Sequence, residues 1–215
     1  MNKLNKRYTL GEEIFSSVSH GVGTLLAIAG TAVLIVFAVL YSDAWAVVGS
    51  AIYGGSLIML YSMSTLYHSI TNEKAKSFFR IMDHTTIFFL IAGTYTPITL
   101  SILRGALGWV LFGIVWGAAI LGITLNAIDL KKFSKPSIAC YIAMGWVIIF
   151  AIKPLVNAMT PLSLWLLVIG GIFYTVGVIF YAIKKVKYFH SIWHIFTILG
   201  STCHYFSILF AIMKM

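Results

Sequence analysis

A chain of 215 residues with 60% hydrophobic and 10% charged residues and a mean hydropathy of +0.96 has too little polar surface to cover a water-soluble globule. It reads as an all-α integral membrane protein, a single domain over residues 1–215 filled by a bundle of seven transmembrane helices of roughly 20 residues each. The net charge of +9 would suggest nucleic acid in a soluble protein, but nearly every Lys and Arg falls in a short connection between apolar runs, so no nucleic-acid partner is expected and the charge is topological.

The spans follow in order. A polar N-terminal segment, residues 1–16, precedes an apolar run from Ser17 to Leu40; it is long enough to span and no small-residue cleavage site follows it, so it is expected to stay as a signal anchor. The second run covers Trp45 to Tyr67, and a polar connection from Ser69 to Met82 leads to the third, Thr85 to Leu103. The fourth is Ala106 to Ala127 and the fifth, short before Lys153 and Pro154, is Ser137 to Ile152. Pro161 opens the sixth, Leu162 to Ile183, at its first turn, and the seventh is Ile192 to Met213. Gly54, Gly55, Gly93, Gly170 and Gly171 lie inside apolar runs, where small residues permit close helix approach. Cys140 and Cys203 read as packing rather than a disulfide framework, and Glu12, Asp43, Glu73 and Asp129 sit in connections, where solvation accounts for them.

Positive charge alternates along the connections. Lys3, Lys6 and Arg7, then Lys74, Lys76 and Arg80, then Lys131, Lys132 and Lys135, then Lys184, Lys185 and Lys187 share one side, and only Arg104, Lys153 and Lys214 fall on the other. The positive-inside rule places the N-terminus, with residues 1–16, in the cytoplasm and the C-terminus outside. With that orientation His20, His68, Asp83, His84, His190 and His194 all sit near the cytoplasmic leaflet.

His190 and His194, in the run HSIWH, are four residues apart and share a helix face. Two imidazoles so placed can share a metal, and ionisable groups at the edge of a bilayer helix are costly enough to need a reason. Ser64 lies one turn deeper than His68 on the same face, and the following connection returns the chain to the same side at Asp83.

The pattern Ser64-x-x-x-His68, Asp83 at the next helix entrance, and His190-x-x-x-His194 resembles the bacterial hemolysin III branch of the progestin and adipoQ receptor family, which is grouped with alkaline ceramidases in a wider superfamily of seven-helix, hydrolase-like membrane proteins. Glu13, Ser16 and His20 resemble the family's Glu-x-x-Asn-x-x-x-His signature, with Ser16 standing where Asn is usual. The resemblance implies a zinc held by His68, His190 and His194, with Asp83 as general base and Ser64 hydrogen-bonded nearby, and Glu13 and His20 as outer partners. Three neutral imidazoles leave a tetrahedral zinc one open position, the pattern of a catalytic site, and zinc brings the pKa of a water down to about 7. The implied activity is hydrolysis of a lipid amide or ester in the bacterial plasma (inner) membrane, with a membrane lipid as partner and a role in lipid or fluidity homeostasis.

Plainer readings stand beside these. Interfacial histidines often bond only to water or a neighbouring helix, Asp83 could serve its helix dipole, and a surface pair explains Glu13 and His20 equally well. His84 points about 100° away from Asp83 and reads as structural; His204, about 15 Å beyond His194, is too far to share its metal and reads as a buried hydrogen-bonding residue. A non-catalytic lipid sensor and a pore-forming hemolysin are the other classes. The sequence supports the pore least, having no amphipathic strands and no polar stripe through the bundle.

Overall fold

Thr9 starts the first helix with a capping box. Its side chain accepts from the Glu12 N–H, and the Glu12 carboxylate accepts from the Thr9 N–H at 2.7 Å, satisfying two donors that a helix end leaves orphaned. The resulting helix α1 spans Leu10–Tyr41, so part of the expected polar N-terminal segment is helical. In the computed structural model the described residues are 8–183 and 185–214; Lys3, Lys6, Arg7 and Lys184 of the charge pattern lie outside them.

Asp43 caps α2, Ala44–Ser69, by accepting from the Ala46 N–H at 3.0 Å, and Asn72 does the same for α3, Glu73–Pro97. The third helix therefore begins well before Thr85. Its first turns, EKAKSFFR, are too polar to register as a span but are good helix formers. Asp83 is consequently inside a helix and not at its entrance. A π turn, Ile98–Ile102, continues α3, and α4 follows at Ala106–Trp146, then a 3₁₀ segment, Val147–Ala151, and the short α5, Ile152–Ala158. The last two helices are α6, Pro161–Ala182, with Pro at the expected first turn, and α7, Phe189–Met213.

Six helical runs among the described residues are long and apolar enough to cross a membrane, and no strand occurs among them. This makes the chain a multi-pass, all-α membrane protein. The count of seven is not matched helix for helix, because the expected fourth and fifth spans lie on one run from Ala106 to Ala158.

That run is broken at Asp129, whose φ of −153° and ψ of 88° are non-helical. Asn126 and Ser137 would be about 16 Å apart along a straight helix, yet the Ser137 hydroxyl donates to Asn126 Oδ1 at 2.7 Å. Contacts with α3 give the sense of each limb. On the first, Trp116 Nε1 donates to Thr96 Oγ1 at 3.1 Å and Gly122 lies against Phe88. On the second, the Tyr141 hydroxyl donates to the His84 carbonyl at 2.8 Å and that of Tyr95 to the Gly145 carbonyl at 3.0 Å. The first limb descends α3 as the second climbs it.

Small residues set the helix spacing. Gly54 abuts Thr31 between α1 and α2, Gly93 abuts Ser56 between α2 and α3, and Gly177 faces Trp193 and Phe196 between α6 and α7. Outward side chains such as Leu25 and Leu26 are exposed on α1, as a lipid-facing surface requires, whereas Ser16, Ser50, Ser56 and Ser64 are buried between helices. The bundle thus places a polar interior around its histidines.

Candidate metal centre

Helix α2 ends one residue after His68, and α7 begins one residue before His190, so both helix ends meet at one level of the bundle. There the Nε2 atoms of His190 and His68 lie 3.2 Å apart, as do those of His194 and His190, and one ligand atom from each of the three residues falls within 4.8 Å of the others. Two nitrogens bound tetrahedrally to one zinc at about 2.05 Å would be about 3.3 Å apart. The spacing therefore fits a shared ion.

Proton placement fits it too. His68 Nδ1 lies 2.6 Å from Glu13 Oε2, and a carboxylate accepts, so this nitrogen donates and the Nε2 lone pair faces the other two rings. Glu13 also pairs with Lys76 Nζ at 2.9 Å, while Lys76 donates to the Tyr67 and Ile70 carbonyls at the end of α2, where a cation is favourable. A carboxylate behind an imidazole fixes its tautomer and ring orientation for a metal. The donor chemistry thus suits a metal ion.

The other expected residues surround the trio. His20, buried, stacks on His194 with ring centroids 3.7 Å apart and meets Tyr61 edge-on; among the described residues neither of its nitrogens has a hydrogen-bond partner. Ser64 is also buried with its hydroxyl unpartnered. Asp83, Ser64 and His20 line the same cavity as His190 and His194. Glu13 and His20 therefore occupy different places, one behind His68 and the other against His194. His84 donates from Nδ1 to the Arg80 carbonyl at 2.9 Å, offers its own carbonyl to Tyr141 and lines the same cavity.

Several contributors escaped the sequence. Tyr8 stacks on His190 at 4.7 Å, Ser191 shares a hydrogen bond with Ser16 at 3.2 Å, and Glu12 accepts from the Tyr188 N–H at 2.8 Å. Glu12 is buried, contrary to the solvated role expected of it, because it serves both the α1 cap and the turn before α7. The Thr-x-x-Glu spacing carried that signal. Nothing local marked the stacking of Tyr8 on His190 or the pairing of Lys76 with Glu13, each of which joins distant parts of the sequence.

The cavity beside the trio, about 110 Å³, is a narrow and mainly apolar slot between α3, α4, α6 and α7 that reaches Tyr174 and His204. A second hollow of about 430 Å³ also borders His190, lined by Tyr8, Glu12, Lys185 and Lys187. His190 borders both. An arrangement of metal donors, an adjacent carboxylate and hydroxyl, and an apolar slot suits chemistry on an amphiphile.

Comparison with known proteins places the chain among similar sequences. The family described as Haemolysin-III related matches residues 8–205. A hemolysin-3 homolog of Bacillus subtilis (strain 168) is 44% identical over 207 residues, covering 96% of this chain and 97% of its own. Hemolysin-3 of Bacillus cereus is 46% identical over 202 residues, covering 94% and 92%. The human monocyte to macrophage differentiation factor is 28% identical over 213 residues, covering 95% and 87%.

Proposed function

The chain belongs to the haemolysin-III related family, and from that premise we propose that it is a zinc protein of the bacterial plasma membrane that hydrolyses a lipid amide or ester in membrane-lipid or fluidity homeostasis. The observation that carries this reading is the convergence of three Nε2 atoms from His68, His190 and His194. These residues would hold the ion, with Glu13 orienting His68.

A bound zinc supplies Lewis acidity, polarising a carbonyl and bringing the pKa of a water down to about 7. Asp83 accepts a proton from the attacking water at a carboxylate oxygen and returns it to the leaving group. The Ser64 hydroxyl, which has no other partner among the described residues, donates to the oxygen where negative charge develops. His20 keeps the His194 ring in place by stacking, and the apolar slot holds the lipid chain and excludes water. The run Ala106–Ala158 makes two crossings by turning at Asp129, giving seven in all, with the N-terminus cytoplasmic and the C-terminus outside; the opposed senses of its limbs along α3 support this.

Elemental analysis of purified protein tests the metal: about one zinc per chain is expected, and its full retention in both His68→Ala and His190→Ala would refute the ligand set. Incubation with mixed ceramides and phospholipids should release fatty acid. Asp83→Asn should abolish release and keep the zinc. Zinc binding with no turnover of any lipid would favour a sensor.

A further inference from the structure

The histidine at the deep end of the slot takes no part in the chemistry above. His204 lies ten residues past His194 on α7, about 15 Å along the helix axis, and lines the same cavity. Its Nε2 is 3.1 Å from the carbonyl of Leu167 on α6. A carbonyl only accepts, so a neutral His204 carries its proton on Nε2 and a lone pair on Nδ1. That Nδ1 is buried and has no hydrogen-bond partner among the described residues.

The surroundings are shaped for this ring. Gly170 on α6 leaves the space that His204 Cδ2 and Nε2 occupy, and a Cβ there would collide with both. Tyr174 flanks the imidazole at 5.4 Å, but its hydroxyl is engaged with Ser201 Oγ at 2.6 Å. Close packing together with a buried acceptor left empty is a costly combination. A ligand that brings a donor to that depth removes the cost.

We propose that His204 Nδ1 accepts a hydrogen bond from a hydroxyl on the lipid chain, so that the ligand class is a long-chain acyl compound hydroxylated in mid-chain. The proposal rests on the reading of the slot as a lipid-chain site with the acyl carbonyl at the His trio. Carbon–carbon bonds of about 1.5 Å at about 111° advance about 1.25 Å each, so the 15 Å from His194 corresponds to a hydroxyl roughly twelve carbons from the carbonyl. A ketone at that carbon would set lone pair against lone pair. It gains nothing.

The test measures binding of radiolabelled octadecanoic acid, and of the same acid bearing a hydroxyl or an oxo group on its twelfth carbon, to the full-length protein in lipid nanodiscs. The hydroxy acid should bind about five- to tenfold tighter than the unsubstituted acid, the gain expected of one neutral hydrogen bond, and the oxo acid no tighter. In His204→Leu the hydroxy acid should lose its advantage over the unsubstituted acid. Moving the hydroxyl along the chain in the unmodified protein gives a readout independent of any variant's folding: affinity should peak near the twelfth carbon. Equal binding of the hydroxylated and plain acids, a preference that survives His204→Leu, or a flat positional profile overturns the proposal alone. Failure of all three acids to bind overturns the lipid-chain reading of the slot with it.

Discussion

At the scale of single residues, the site depends on what stands behind its donors. Glu13 Oε2 holds His68 Nδ1 at 2.6 Å and faces Lys76 through its other oxygen. Glu13→Gln keeps the reach but removes the charge, so zinc affinity measured by chelator competition should fall about 10- to 100-fold; an unchanged affinity would reduce the contact to packing. The sequence made His190 and His194 legible because four residues of helix align two side chains by geometry alone. The charge-derived topology put His68 at the same leaflet, but its part in a ligand set came from the motif resemblance, since its approach depends on how α2 and α7 pack. Tyr8, Lys76 and Ser191 were invisible because each meets the site across a long stretch of chain, and no local pattern encodes such contacts.

At the scale of elements, hydropathy located the apolar stretches but missed where helices begin and turn. The start of α3 was lost because Glu73 to Arg80 are polar, although Asn72 is a sound N-cap. The break at Asp129 was read only as a connection, while its stabilising contact is the buried pair of Asn126 and Ser137. Asn126 also reaches the Tyr141 hydroxyl at 3.5 Å. Asn126→Ala would leave Ser137 unsatisfied in the interior and should cost about 1–3 kcal/mol, read as a lowered melting temperature in detergent. Gly177→Val should cost a similar amount, about 1–3 kcal/mol, because Trp193 and Phe196 already occupy the space beside it. Both losses should appear in stability before they appear in metal content.

At the scale of the whole molecule, the doubling-back of the Ala106–Ala158 run decides on which side each terminus lies. Reporter fusions after Lys132 and after Lys214 should give opposite sides of the membrane if that run crosses twice. Identical sides would mean six crossings. Holding α2 to α7 through one ion should also stabilise the bundle: at free zinc about 100 times the Kd, linkage adds about 2.7 kcal/mol, so chelator-treated protein should melt several degrees lower, and His194→Ala should erase that difference. The donors lie far apart in the order of synthesis, His68 near the end of the second helix and His190 and His194 at the start of the last. A nascent chain halted anywhere before Phe189 can insert most of its bundle and still own a single imidazole of the three. On the proposed reading, metal loading therefore waits until the last helix has been made.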